Sequence, residues 1–162
     1  MLQVMGADKV VAIEANTRAF LKCLCIKEIF KLDRVEFKLG DFILYLRNVR
    51  IKYDVVLASG VLYHMQDPIE TLDLISSVTD KIFLWTHYYD KELLDSRGDI
   101  RSKFGSIETS TYKDFKYNSV KYHYQGALKW QGFCGGSEST SIWLFRNSIT
   151  SYLDRLGFEI QI

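Results

Sequence analysis

The sequence is short of several things, and each shortage excludes something. It holds one proline, Pro68, in 162 residues, so proline-rich spacers and recognition segments are ruled out. No stretch of about 18 consecutive apolar residues occurs, so no transmembrane helix is expected. Met1 to Lys9 has neither a basic start nor a long apolar run and does not read as a signal peptide. Charge of one sign is lacking too: 21 Lys and Arg stand against 20 Asp and Glu, a formal net charge of +1. Only a local cluster could then recruit a polyanion. The three cysteines are Cys23, Cys25 and Cys134. An odd number, with two of them one residue apart, suits neither a disulfide framework nor a zinc knuckle. Reduced, mostly buried thiols in a cytoplasmic protein are expected. The three histidines, His64, His87 and His123, form no metal-ligand spacing with Cys or Asp. No internal repeat, low-complexity tract or interdomain linker is present.

What is there suits an ordinary globular chain: 48% hydrophobic and 25% charged residues, enough for one domain with a sizeable core across residues 1–162. The unusual excess is aromatic, at 14%, with ten Tyr and ten Phe. Many of these fall in the second half.

Strand and helix signals alternate as far as Thr86. Leu2 to Met5 resembles the last turn of a helix, with Gly6 past its end. Val10 to Ala15 is a short apolar run closed by Glu14, as in a buried parallel strand. A helix is expected from Thr17 to Leu32, capped by Asn16 or Thr17, with Ala19, Cys23, Ile26 and Phe30 on one face. Val35 to Leu39 alternates as a strand, and a short helix follows from Phe42 to Val49. Tyr53 to Ala58 predicts a third strand. Asp67-Pro68-Ile69-Glu70 marks a helix start, with an acid at the cap and proline at the first helical position. Lys81 to Thr86 predicts a fourth strand. This order implies an α/β fold with a Rossmann-like, doubly wound, mostly parallel sheet. His87 to Ser141 breaks the alternation and reads as an aromatic-rich insertion or lid. There Val120, Tyr122 and Tyr124 suggest a strand pairing with Leu128 to Phe133. A helix from Ser148 to Leu156, ended by Gly157, precedes a last strand from Phe158 to Ile162.

Such sheets bind ligands beyond the carboxyl ends of their strands. Glu14 stands at one such end, where a carboxylate can accept hydrogen bonds from both ribose hydroxyls of a nucleotide, or simply cap the next helix. Asp41, just past the second strand, can take the exocyclic amine of an adenine while Phe42 meets the ring. It can equally cap the short helix, and the two roles are compatible. Ser59-Gly60 ends the third strand, either as a place for close ligand approach or as a plain turn.

The run Tyr53 to His64 (YDVVLASGVLYH) resembles the fourth motif of class I S-adenosylmethionine-dependent methyltransferases. Gly40-Asp41-Phe42 resembles the acidic adenine motif of that class, and Val10 to Asn16 its ribose motif. The likeness extends to methyltransferases similar to the tRNA wobble-uridine carboxymethyl-transferring enzymes, which share the GVLYH loop. It covers Gly6 to Thr86 and returns at Ser141 to Leu144 and Ile149 to Phe158. It implies S-adenosylmethionine as cofactor, bound by Glu14, Asn16, Asp41, Phe42, Ser59 and Gly60. It places His64 and His87 where a methyl acceptor could be oriented or deprotonated, with Tyr63 and Tyr88 touching the acceptor. The alternative for either histidine is packing. His123 reads as structural.

The sequence departs from the class in one respect. The class's first strand and Gly-x-Gly loop do not occur, and Gly135-Gly136 follows no parallel strand. The chain therefore reads as starting one strand late, a fragment in which methyl transfer is impaired. Tyr112 to Trp130 interleaves Lys113, Lys116, Lys121 and Lys129 with rings. That mix can stack bases and meet phosphates, though a lid with a solvated lysine face accounts for it more simply. A small-molecule acceptor is expected, with RNA as an option and no membrane partner. Two rivals are carried: an NAD-dependent oxidoreductase, and a non-catalytic remnant that binds a partner.

Overall fold

The computed structural model describes residues 2–133, 135, 136 and 138–161. Cys134, expected as a buried thiol, and Ile162, expected to end a strand, lie outside them. The chain divides into two compact units, Met1–Val49 and Arg50–Ile162.

In the first unit, β1 (Val10–Glu14) and β2 (Val35–Leu39) pair in parallel, Val10 beside Val35 through to Glu14 beside Leu39. α1 (Thr17–Ile29) connects them. Asn16 caps α1 as expected, its side-chain oxygen accepting the Ala19 N–H at 3.0 Å. The helix ends before the expected Leu32. Lys31 takes φ 49° and the Leu32 N–H reaches the Lys27 carbonyl at 3.0 Å, a left-handed closure that spends the last turn's carbonyls. Near the N-terminus, Gly6 N–H to Gln3 carbonyl and Ala7 N–H to Leu2 carbonyl, at 3.2 and 3.1 Å, form the same kind of helix-ending turn around Gly6 at φ +103°. α2 (Phe42–Asn48) follows β2 and buries Leu46.

The expected buried stripe on α1 is not buried. No α1 residue is buried, and Phe30, just past its end, is 65% exposed. Of the thiols expected to be mostly buried, Cys25 is exposed and Cys23 half-buried, and both are free. A two-stranded sheet offers too narrow a face to cover a 13-residue helix.

In the second unit, β3 (Val56–Ser59) and β4 (Ile82–Trp85) pair in parallel, joined through α3 (Pro68–Ser76). β3 begins later than expected because the Tyr53 N–H bonds the Val78 carbonyl at 2.8 Å, outside the ladder. Asp67 stands at the α3 cap, but its side chain makes no capping bond. The Thr71 hydroxyl instead donates to the Asp67 carbonyl at 2.9 Å. α3 sinks Ile69, Leu72 and Ile75 into the core beside Leu62, Leu144, Ile149, Tyr152 and Leu153. Each aliphatic chain buried there contributes roughly 2 kcal/mol.

The aromatic-rich segment is more regular than the sequence suggested. Two short helices, α4 (Lys91–Asp95) and α5 (Gly98–Arg101), lead into the hairpin β5 (Phe104–Tyr112) and β6 (Phe115–His123). β7 (Thr140–Leu144) lies antiparallel to β6, Val120 beside Trp143. The expected pairing of β6 with Leu128–Phe133 is therefore wrong. Gln125, at φ 52°, turns the chain out of the sheet into a 3-10 turn, Gln125–Lys129. α6 (Arg146–Arg155) ends at Gly157, φ +87°. The strand expected after it is absent among the described residues, because the Phe158 N–H folds back to the Leu153 carbonyl at 3.0 Å and Phe158 packs on the core.

The architecture is thus mixed α/β, as expected. Its described strands fall into three sheets: two parallel pairs and one three-stranded antiparallel sheet. Among the described residues, no helix is long and apolar enough to cross a membrane.

Candidate functional site

The first unit brings its two expected carboxylates to one rim. Glu14 is the last residue of β1 and Asp41 follows β2 by one residue. The parallel ladder ends at Glu14 beside Leu39, and the Gly40 N–H donates to the Glu14 carbonyl at 3.0 Å. Each carboxylate is steadied locally. Glu14 Oε1 accepts the Asn16 N–H at 2.8 Å, and Asp41 Oδ1 accepts the Ile43 N–H at 2.8 Å. Asp41 is therefore the cap of α2, and a carboxylate held at a helix N-terminus keeps a second oxygen to present. The side-chain oxygen of Asn16 is committed to α1. Phe42, half-buried, is the first residue of α2.

The second unit gathers rings. Gly60 follows β3 in the left-handed region at φ +72°. Its N–H donates to the Trp85 carbonyl at 2.8 Å, and an added Cβ would lie 3.6 Å from Tyr63 Oη and 3.7 Å from the Trp85 ring. Ser59, at the end of β3, is exposed. The 3-10 turn Leu62–His64 sends Leu62 into the core, while the neighbouring Tyr63 and His64 remain half-buried. The Tyr63 ring lies 4.2 Å from His64, 4.5 Å from His87 and 5.8 Å from Trp143. His87 stacks on Trp143 at 5.4 Å and meets Trp85 at 5.2 Å. The two histidines singled out in the sequence therefore share one aromatic cluster.

His64 Nδ1 lies 2.6 Å from Tyr124 Oη. Burial, and then the nearby His87, hold the His64 pKa below its usual value. Burial raises the phenols of Tyr63 and Tyr124. Gly135 closes over the same nitrogen: a Cβ there would sit 2.7 Å from His64 Nδ1 and 2.5 Å from the Phe133 ring.

Not every candidate joins. Tyr88 lines a separate groove with Phe145, Arg146 and Thr150, because successive residues of extended chain point to opposite sides and His87 takes the cluster side. His123 ends β6, exposed, beside Thr140. The rings of Tyr112, Phe115 and Tyr117 pack against the core, and Tyr122 stacks on Trp143 at 5.2 Å. Lys113, Lys116, Lys121 and Lys129 are exposed. On the hairpin, Lys116 and Lys121 face solvent away from the inward-packed rings, while Lys113 Nζ lies 5.4 Å from the Tyr112 ring centre. Among the described residues, no group of three His, Cys, Asp or Glu is placed to hold a metal ion.

Sequence reasoning missed Trp85, Tyr124, Gly135 and Trp143 as members of the cluster. Only the alternation at Tyr124 signalled anything, and nothing local marks a tryptophan that a distant histidine will stack on.

The resemblance to class I S-adenosylmethionine-dependent methyltransferases carried by the strand-end motifs stands once the chain is compared with known proteins. It is similar to a tRNA U34 carboxymethyltransferase of Campylobacter fetus, 27% identical over 163 residues, taking in 90% of this chain and 54% of the relative. Among solved structures, the N-terminal domain of EvdMO1 in the presence of SAH and D-fucose shares the fold at a TM-score of 0.66 and 20% identity, across 91% of this chain and 55% of that one. The same domain with SAH bound gives 0.65 at 19% identity, across 91% and 54%. The chain spans about half the length of these proteins. No family model matches it.

Proposed function

We propose that this chain carries part of an S-adenosylmethionine-dependent methyltransferase. The observation that carries the reading is the placing of Glu14 and Asp41 at one rim of the β1–β2 pair. Each unit contributes one parallel β-α-β pair to this reading, and residues 87–141 form the insertion that selects the acceptor. The name of the curated relative and the SAH in the solved neighbours support the choice of cofactor.

The donor set fits the adenosine end of that cofactor. Glu14 accepts from the ribose hydroxyls, with Asn16 holding the backbone beside it. Asp41 accepts from the adenine amine and Phe42 covers the ring. In the second unit, taken by itself, exposed Ser59 and Gly60 at φ +72° are the backbone a ligand would approach. When bound, the group supplies an electrophilic methyl on a cationic sulfur that leaves as a neutral thioether. The protein's own task is then alignment and exclusion of water. Tyr63, Trp85 and Trp143 supply the walls, and His87, stacked on Trp143, accepts a proton where the acceptor atom carries one.

The acceptor is a small molecule. RNA, on which the relative's name has that enzyme act, is the second choice, because Tyr112, Phe115 and Tyr117 of the hairpin pack on the core rather than standing free to stack on bases. The free thiols Cys23 and Cys25 suit a cytoplasmic setting.

Isothermal titration with S-adenosylhomocysteine tests the reading. Glu14→Gln and Asp41→Asn are each expected to weaken binding about tenfold, or about 1.4 kcal/mol. Tighter binding of NAD would turn the reading to an oxidoreductase. If neither nucleotide binds, even after the chain is extended upstream by a strand and glycine loop, the protein is a partner-binding remnant.

A further inference from the structure

We infer that Tyr124 is a positioning residue: it donates its phenolic proton to His64 Nδ1 and thereby fixes His64 as a hydrogen-bond donor at Nε2. The acceptor group facing His64 is then a carbonyl or anionic oxygen, and His64 is not the base.

Four observations converge. First, the Nδ1 to Oη separation of 2.6 Å is that of an O–H donor. Hydroxyl donors make bonds near 2.7 Å, whereas N–H donors centre near 2.9–3.0 Å. Second, Tyr124 is 5% exposed, and burial keeps its phenol protonated, so it has a proton to give. Third, Ser141 is wholly buried on β7 and its hydroxyl makes no hydrogen bond of good geometry as it stands. Ser141 pairs across the β6–β7 ladder with Tyr122, two residues before Tyr124. A proton turned from Ser141 towards Oη leaves the phenol's own proton for His64, and the buried hydroxyl gains a partner. Fourth, Gly135 passes so close to Nδ1 that any Cβ would stand 2.7 Å away, which crowds out other partners on that side.

Burial also holds His64 neutral, so the ring carries one proton. With Nδ1 accepting, that proton is on Nε2. What the donor faces rests on the methyltransferase reading. The tautomer does not.

Long-range proton–nitrogen NMR on protein labelled with nitrogen-15 histidine reads the tautomer directly. There are three histidines, and His64→Gln identifies the signals of His64 by their loss. The expected spectrum at neutral pH has His64 Nδ1 at the position of an unprotonated ring nitrogen and Nε2 at that of a protonated one. In Tyr124→Phe the Nδ1 signal is expected to move towards the average of the two tautomers, with His87 and His123 unmoved. A protonated Nδ1 in the wild type overturns the inference, whether or not the variant folds. So does a folded Tyr124→Phe whose His64 signals do not shift. Because no cofactor is needed, failure here is distinct from failure of the nucleotide titration.

Discussion

Tyr152, sunk to 2% exposure in α6, donates its hydroxyl proton at 3.0 Å to Asp73 of α3, 79 residues earlier in the chain. The same carboxylate takes Lys113 Nζ at 2.9 Å from the tip of the β5–β6 hairpin. One acid thus ties together three elements that are remote in sequence. Removing it leaves a buried phenol without a partner. Asp73→Ala is expected to cost about 2 kcal/mol and Tyr152→Phe about 1 kcal/mol, read from urea unfolding midpoints.

The same node gives an alkaline signature. Burial, and then the hydrogen bond to Asp73, raise the Tyr152 pKa far above its usual range. The folded state therefore holds the phenolic proton longer than the unfolded chain. That contribution is complete below the unfolded value of about 10 and declines as pH rises beyond it. Unfolding midpoints measured upwards from pH 9 should fall less steeply in Tyr152→Phe than in the wild type.

His64 gives the opposite slope in acid. Its folded pKa is depressed by burial and by His87, so the unfolded chain binds the proton more readily. The contribution is present above the unfolded value of about 6.5 and lost as pH falls from there through the folded value. Midpoints at pH 7.5 and pH 5 should differ more in the wild type than in His64→Gln. Equal differences would mean the ring is not desolvated.

The hairpin provides a test of whether its rings serve the core or an RNA. Phe115 lies 4.8 Å from the Tyr152 ring, whereas its neighbour Lys116 is exposed. Phe115→Ala should cost about 3 kcal/mol and Lys116→Ala less than about 0.5 kcal/mol. A stability loss of equal size for the two would contradict the packing described.

Two glycines should resist substitution for different reasons. Gly60→Ala forces a side chain to φ +72° with ordinary space around it, costing about 1 kcal/mol of backbone strain. Gly135→Ala meets Phe133 and His64 at 2.5 and 2.7 Å and should cost about 1–3 kcal/mol. It should also disturb the His64 nitrogen signals, which Gly60→Ala should leave largely unchanged.

The sequence by itself determined the order of strands and helices through Trp85 and the rim on which Glu14 and Asp41 stand. Those features are written locally, in apolar runs closed by an acid, in Asn16 and Asp41 as caps, and in Pro68 as a first helical residue. Helix ends were less legible, because a lysine at φ 49° can stop a helix as a glycine does. Only tertiary structure decided the rest. It paired β6 with β5 on one side and β7 on the other rather than with Leu128 to Phe133, because alternation identifies a strand but not its partner. It set His87 against Trp143 and Tyr124 against His64, contacts between residues 56 and 60 positions apart. It also left α1 without a buried side, since an amphipathic pattern states which face can be covered and only the width of the neighbouring sheet decides whether it is.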